Sequence, residues 1–231
     1  MGHYHNPQVV MNGLILYLDP ANPRSYAGTG TFFNDLSLTE NNAYLSNSPT
    51  FSSSNSGSFS FDGVNDLIYT STLYSNPNPF SICVYFRTSS ASGKKIMGFE
   101  STQNGTSGSY DRHLYVNTDG KLVFGLYPGS FWYLNSLSTV TDNTWRYAVG
   151  TITGTSANLY INGIGQSSVS GAGAENYSGY WRIGSNNLGG WALANTGSFL
   201  GDIGLVKIYN RVLTETEIIK NFNATKKRYG L

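Results

Sequence analysis

The sequence predicts an all-β fold: antiparallel sheets packed face to face as a sandwich, with one short C-terminal helix. Three observations carry this reading. Apolar and polar residues alternate through most of the chain, and turn residues break the runs about every 8–12 residues. Glycine is abundant, at 27 of 231 residues, and strong helix formers are sparse. One helix start is clear, the Thr-x-x-Glu capping box of Thr214 and Glu217, in which each side chain satisfies a backbone donor.

Composition narrows the setting. Charged residues are 12% of the chain, about half the usual share of roughly 25%. The formal charge of +1 gives no field to steer nucleic acid or an anionic membrane. No stretch approaches the ~20 apolar residues of a membrane span. Cys83 is the one cysteine, so no internal disulfide forms, and its place between Ile82 and Val84 reads as a small buried hydrophobe. The size fits one β-domain, residues 13–231, behind an N-terminal arm of residues 1–12. His3 and His5 alternate in that arm, but two histidines without further ligands do not make a metal site.

The elements follow in order. Leu14, Leu16 and Leu18 alternate with Ile15 and Tyr17, a strand apolar on both faces. Residues 34–57 are polar and read as irregular chain laid across the sandwich. Phe59 and Phe61 share a face before Asp62-Gly63 turns the chain, and Leu67-Ile-Tyr69 resumes it. Phe80, Ile82, Val84 and Phe86 alternate strictly with Ser81, Cys83, Tyr85 and Arg87, the pattern of a half-buried strand. Lys95 to Phe99 is a short strand, and residues 105–108 form a loop. Asn117-Thr-Asp-Gly120 and Asn162-Gly163 are hairpin turns. Trp145, Tyr147 and Val149, then Trp181-Arg-Ile183, add strands, for about eleven to thirteen in all. The last strand, 200–209, has Ile203 and Leu205 on one face and Val206 and Ile208 on the other. A bulge at Gly201 or Gly204 explains the change of phase. Both terminal strands are apolar on two faces, so they are expected to pair in mid-sheet. The Lys226-Lys-Arg228 triplet reads as a solvated tail.

Several of these pieces, in this order, carry a resemblance. Gly13-Leu-Ile-Leu-Tyr-Leu-Asp19, Ser58-Phe-Ser-Phe-Asp-Gly-Val-Asn-Asp66, Leu159-Tyr-Ile-Asn-Gly163 and the run from Gly201 to Ile218 resemble the concanavalin A-like jelly rolls, in the laminin-G-like and pentraxin branch. The Asn-Ala-Thr-Lys-x-Arg-Tyr-Gly-Leu ending at 223–231 is similar to that of jelly rolls on tailed-virus particles. The resemblance implies a jelly-roll topology. It also implies a structural or attachment module on a virion surface, or an extracellular one, with particle proteins or surface glycans as partners. The first residues lack the apolar core of a secretory signal, and either release inside an assembled particle or a trimmed chain would reconcile that with an extracellular-looking surface.

Three chemistries compete. Glycan hydrolysis needs two carboxylates about 5–10 Å apart. The glucanase branch carries them on a Glu-x-Asp-x-x-Glu strand, and this chain has no such run; Glu100, Glu175, Glu215 and Glu217 are isolated or in the helix cap. No catalytic residue and no enzyme activity are expected. The resemblance brings in calcium as the one candidate cofactor. Asn186, Asn187 and the Gln103-Asn104 pair stand where acids are expected, so no metal site is assigned, and the Asp62, Asn65 and Asp66 oxygens suit a turn. Glycan or protein binding asks for aromatic faces and amides. Tyr127, Phe131, Trp132 and Tyr133 in one loop, and Asn186, Asn187 and Trp191 in another, are the candidate ligand-binding residues. The competing reading puts Phe131 and Tyr133 in the core with Trp132 facing out, and has Trp191 cover a sheet end.

Overall fold

The structure, a computed structural model, describes residues 8–54, 56–184, 187–195 and 198–231. Its strands are β1 (Leu14–Leu18), β2 (Phe32–Phe33), β3 (Ala43–Ser46), β4 (Thr50–Ser52), β5 (Ser58–Asp62), β6 (Leu67–Thr70), β7 (Tyr74–Ser75), β8 (Phe80–Arg87), β9 (Lys94–Glu100), β10 (Tyr110–Val116), β11 (Lys121–Leu126), β12 (Trp132–Thr139), β13 (Arg146–Ile152), β14 (Ser156–Ile161), β15 (Ile164–Ser170), β16 (Ser178–Ile183) and β17 (Leu200–Tyr209). Helix α1 (Glu215–Thr225) and a 3-10 turn over Lys226–Tyr229 close the chain. One sheet runs β15-β14-β13-β8-β17-β5-β4 with β1 beside β17; the other runs β12-β11-β10-β9-β16-β6-β3-β2 with β7 beside β16. All named strand pairs are antiparallel. The seventeen strands among the described residues exceed the number expected, because the polar 34–57 stretch supplies the short strands β3 and β4, and β2 and β7 are only two residues long.

Strand β17 organises the first sheet. It pairs with β8 along one edge, with β5 at its start and with β1 at its end, where Leu14 faces Tyr209 and Leu18 faces Val206. The chain ends therefore meet in mid-sheet. The ladder to β8 shifts between Ile203 and Val206, and Gly204 sits in that shift. Gly201 has a φ of 144°, and a Cβ there would lie 2.3 Å from the Arg87 carbonyl oxygen, which only glycine avoids. Ile203, Val206 and Ile208 face the inter-sheet core, while Leu205 and Tyr209 face outward.

Strand β8 departs from its half-buried pattern. Phe80 to Phe86 are all buried, on both faces. The outward face carries Cys83 and Tyr85, and α1 with the 3-10 turn lies over it through Ile218, Phe222 and Tyr229. Alternation alone could not show that a helix would return from the far end of the chain to cover that face. The capping box forms as expected, Thr214 Oγ1 accepting from the Glu217 amide while Glu217 accepts from the Thr214 amide. Two terminal expectations are corrected. Residue 10 belongs to the fold rather than to an arm: the buried Val10 donates its amide to Asn221 Oδ1 at 2.8 Å and accepts from the Tyr209 hydroxyl. Arg228 is no solvated tail, since its guanidinium binds the Asp19 carboxylate at 2.8 Å and the Tyr229 hydroxyl at 2.7 Å. Residues 1–7, with His3 and His5, lie outside the described residues.

Candidate functional site

The outer face of the second sheet is bare at its centre. Across four strands the outward positions are Gly98 on β9, His113 on β10, Gly125 on β11 and Tyr133 on β12, with His113 paired to Gly125 and Gly125 to Tyr133. Two glycines in one row leave a trough. The 187–195 segment crosses this face and drops Trp191 into it. The Tyr115 hydroxyl donates to the Ala192 carbonyl at 2.8 Å, the Ala192 amide to the Tyr133 hydroxyl at 3.2 Å, and the Thr118 amide to the Leu193 carbonyl at 2.9 Å. Trp191 is 5% exposed and packs with Tyr115, Val123 and Leu188. The His113 ring meets it edge-on at 4.7 Å. Burial, then the Lys95 charge, holds His113 well below the usual imidazole range, so the ring packed here is neutral.

Beside Trp191 the β11–β12 hairpin raises the other aromatics. Phe131 stacks on Tyr133 at 5.8 Å, meets Tyr127 at 4.7 Å and meets Trp191 edge-on at 5.1 Å. Phe131 is 44% exposed. Tyr127, Phe131 and Trp191 line a cleft of about 220 Å³, and Gly108, Ser109, Tyr110, Glu175 and Gly189 complete it. Tyr110 donates its hydroxyl to the Gly189 carbonyl, and Ser109 donates to Glu175 Oε1 at 3.1 Å.

The Glu175 side of the cleft is held from within. The Glu175 amide donates to Asp111 Oδ2 and its carbonyl accepts from Arg112 Nη2, each at 2.8 Å. Arg112 is fully buried, takes a φ of 55° and pairs with Asp111; it also donates to the Pro77 carbonyl and Asn76 Oδ1, and lies over the Phe99 ring at 5.0 Å. Burial pushes Asp111 up to about 6 against the lowering effect of that guanidinium. A second buried group ties Lys95 to Glu100, with Arg182 on the other carboxylate oxygen at 2.7 Å. Burial pushes Lys95 down to about 8; for Glu100 the two cations outweigh burial and hold the carboxyl below its usual range.

The predicted residues divide. Tyr127, Phe131 and Trp191 come together at the cleft, and Tyr133 backs Phe131 from behind. Trp132 goes elsewhere: it points to the sandwich interior side and packs on the main core and Gly171. The competing parity, with Trp132 outward and Phe131 and Tyr133 inward, is thus inverted. Asn187 does not line the cleft; its amide donates to Glu100 and its carbonyl accepts from Lys95. Asn186 lies outside the described residues. Ser109, Tyr110 and Glu175 were missed, and no local motif marks them.

The donors do not fit calcium, which takes six to eight oxygens. Asn187 is tied to Glu100, and the Gln103 side chain donates to the Thr70 carbonyl at 3.4 Å. Asp62 Oδ1 accepts from the Val64 amide and Asp66 Oδ2 from the Asp62 amide, a closed turn. No group of three or more His, Cys, Asp or Glu side chains suited to a metal occurs among the described residues. No helix among them is long and apolar enough to cross a membrane.

Two antiparallel sheets in this order, with a short helix folded onto one outer face, define a jelly-roll sandwich. Residues 61–219 match the model of the concanavalin A-like lectin/glucanases superfamily, and the chain belongs to that family. No curated protein matches the chain. Among solved structures it is similar to domain 4 of AbnA, an extracellular arabinanase from Geobacillus stearothermophilus in complex with arabinotriose, with TM-score 0.63 and 13% identity over 92% of this chain and 99% of that domain. It is also similar to the binding domain of Paraclostridial Mosquitocidal Protein 1, with TM-score 0.64 and 17% identity over 92% of this chain and 52% of that one. The sialidase of Trypanosoma rangeli gives TM-score 0.63 and 15% identity over 94% of this chain, which spans about a third, 33%, of the sialidase. At these identities the likeness is one of fold.

Proposed function

We propose that this chain is a non-catalytic saccharide-binding module that holds its ligand in the cleft between Phe131 and Glu175. The observation that carries the reading is the convergence of Tyr127, Phe131 and Trp191 with Ser109 and Glu175 on one cleft. Aromatic rings take the C–H face of a sugar, and a carboxylate and a hydroxyl take its hydroxyls. Glu175 is the one carboxylate lining the cleft, and Glu100 and Asp111 are wholly buried in ion pairs. This supports binding over hydrolysis, which uses a facing pair of acids. The arabinotriose complex of a similar fold supports the ligand class. Titration of the full chain against immobilised glycans tests the reading. Phe131→Ala and Tyr127→Ala should each weaken binding at least tenfold with little change in melting temperature. Unchanged affinity in both variants rejects the cleft as the site.

For location we keep the proposal of a virion-surface or extracellular component with particle proteins or surface glycans as partners. Its support is the resemblance of the 223–231 ending, although Tyr229 in that segment also serves the fold by packing beneath α1. Detection of the chain in purified particles, and its absence from the soluble cell fraction, tests that placement.

A further inference from the structure

Charge in the cleft is one-sided. Its lining holds one acidic side chain, Glu175, and no basic one. Oε1 accepts from Ser109, while Oε2 has no hydrogen-bond partner among the described residues and is left for a ligand. The carboxylate cannot retreat with its loop, because its backbone is bonded on both sides, to Asp111 and Arg112. The cations behind it are engaged. The fully buried Arg112 donates to Pro77, Asp111, Asn76 and the Glu175 carbonyl. Lys95, also fully buried, is held by Glu100 and the Asn187 carbonyl. The lining also carries the aromatic rings of Tyr110, Tyr127, Phe131 and Trp191, and ring faces carry negative potential and favour C–H groups or cations.

We infer that the cleft selects neutral and amino sugars and excludes acidic ones, sialic and uronic acids, through the fixed carboxylate of Glu175. This inference rests on the saccharide-binding reading above and adds the ligand's charge class to it. A hydroxyl or an ammonium group donates to Oε2. A ligand carboxylate placed there meets a like charge with no cation free to neutralise it.

The test is a glycan array carrying neutral, glucosamine-containing, uronate-containing and sialylated saccharides, probed with the full chain and with Glu175→Gln. For the native chain the bound saccharides are expected to be neutral or glucosamine-containing, and acidic counterparts at least tenfold weaker. Glu175→Gln weakens binding of the neutral ligands too, but the neutral-to-acidic affinity ratio falls at least tenfold. Glucosamine ligands lose the most, because the variant keeps an acceptor and loses the charge. Its melting temperature should stay near that of the native chain, since the bonds that hold this segment use the backbone of residue 175. Acidic saccharides bound as tightly as neutral ones by the native chain overturn the inference and leave the saccharide reading standing. An unchanged ratio in Glu175→Gln overturns it as well. If no saccharide on the array binds, the saccharide reading itself falls, and the charge preference with it.

Discussion

The indole of Trp191 rests against the backbone of Gly125: a methyl group built on that glycine would lie 2.4 Å from ring atom Cζ3 and 2.8 Å from Cε3. The glycine is needed here for space. Gly125→Ala should push Trp191 out of the trough and cost roughly 1–3 kcal/mol, the usual penalty of overpacking. Tryptophan emission should shift toward that of a wetted indole, and glycan affinity should fall with it. An alanine variant with native emission and native melting temperature would mean that the ring does not depend on this gap.

The buried and the exposed member of the aromatic cluster separate stability from binding. Trp191 is 5% exposed, so Trp191→Ala should cost roughly 3–5 kcal/mol and remove binding by collapse of the strap. Phe131 is 44% exposed, so Phe131→Ala should change stability by less than about 1 kcal/mol while binding drops. Urea midpoints of the two variants, measured beside their affinities, check the difference. Equal destabilisation would place Phe131 in the core instead of at the cleft.

Much of the architecture was legible because the sandwich obeys a period of two. Ile82, Val84 and Phe86 reach the core as their alternation demands, and Thr214 with Glu217 starts the helix. Which way a strand of unbroken aromatics faces was not legible. Phe131, Trp132 and Tyr133 are all large and flat, and a shift of one residue exchanges their faces; the pairing of Gly125 with Tyr133 sets the parity. The polar half of the cleft was hidden for another reason. Ser109 and Glu175 are 66 positions apart, and the Glu175 backbone is held in place by the buried Asp111 and by Arg112 at a left-handed φ, a bond pattern that no local window contains.

Lys207 gives a prediction about pH. It faces Cys83 across the β8–β17 ladder, is fully buried, and its Nζ has no hydrogen-bond partner among the described residues. The Tyr17 ring lies 5.0 Å away, and Asp19 and Arg228 act on it with opposite signs. Burial pushes Lys207 down to about 8. The native state therefore binds fewer protons than the unfolded state between about pH 8 and the ordinary lysine range, so this group adds stability as pH rises through that window. Below it the protein carries a buried ammonium, whose unmade bonds cost more than the roughly 1–3 kcal/mol of a neutral group and outweigh the about 2 kcal/mol of a desolvated cation–π contact. Lys207→Met should raise the melting temperature at pH 6.5, and the gain should shrink at pH 9.5. A variant less stable than the native chain at pH 6.5 would show that the amine has a partner.

Tyr229 is one of the residues that bind the C-terminal end of the chain to the first sheet. Tyr229 stacks on Tyr85 at 3.8 Å, and its hydroxyl accepts from the Leu205 amide at 2.8 Å. Gly204 makes the room: a Cβ there would be 2.4 Å from that hydroxyl oxygen. Tyr229→Ala should cost roughly 3–5 kcal/mol, as for a buried aromatic cut to alanine, and also leaves the Leu205 amide unpaired. Gly204→Ala should cost roughly 1–3 kcal/mol in the native background. In the Tyr229→Ala background the same change should be close to neutral, because the atom it would strike is gone. Directly contacting residues couple in this way, whereas independent sites add to within about 0.3–0.5 kcal/mol. Chemical denaturation of the four chains measures the coupling. Strict additivity would mean that Gly204 serves the bulge in β17 alone, and that the fit of Tyr229 against it is incidental.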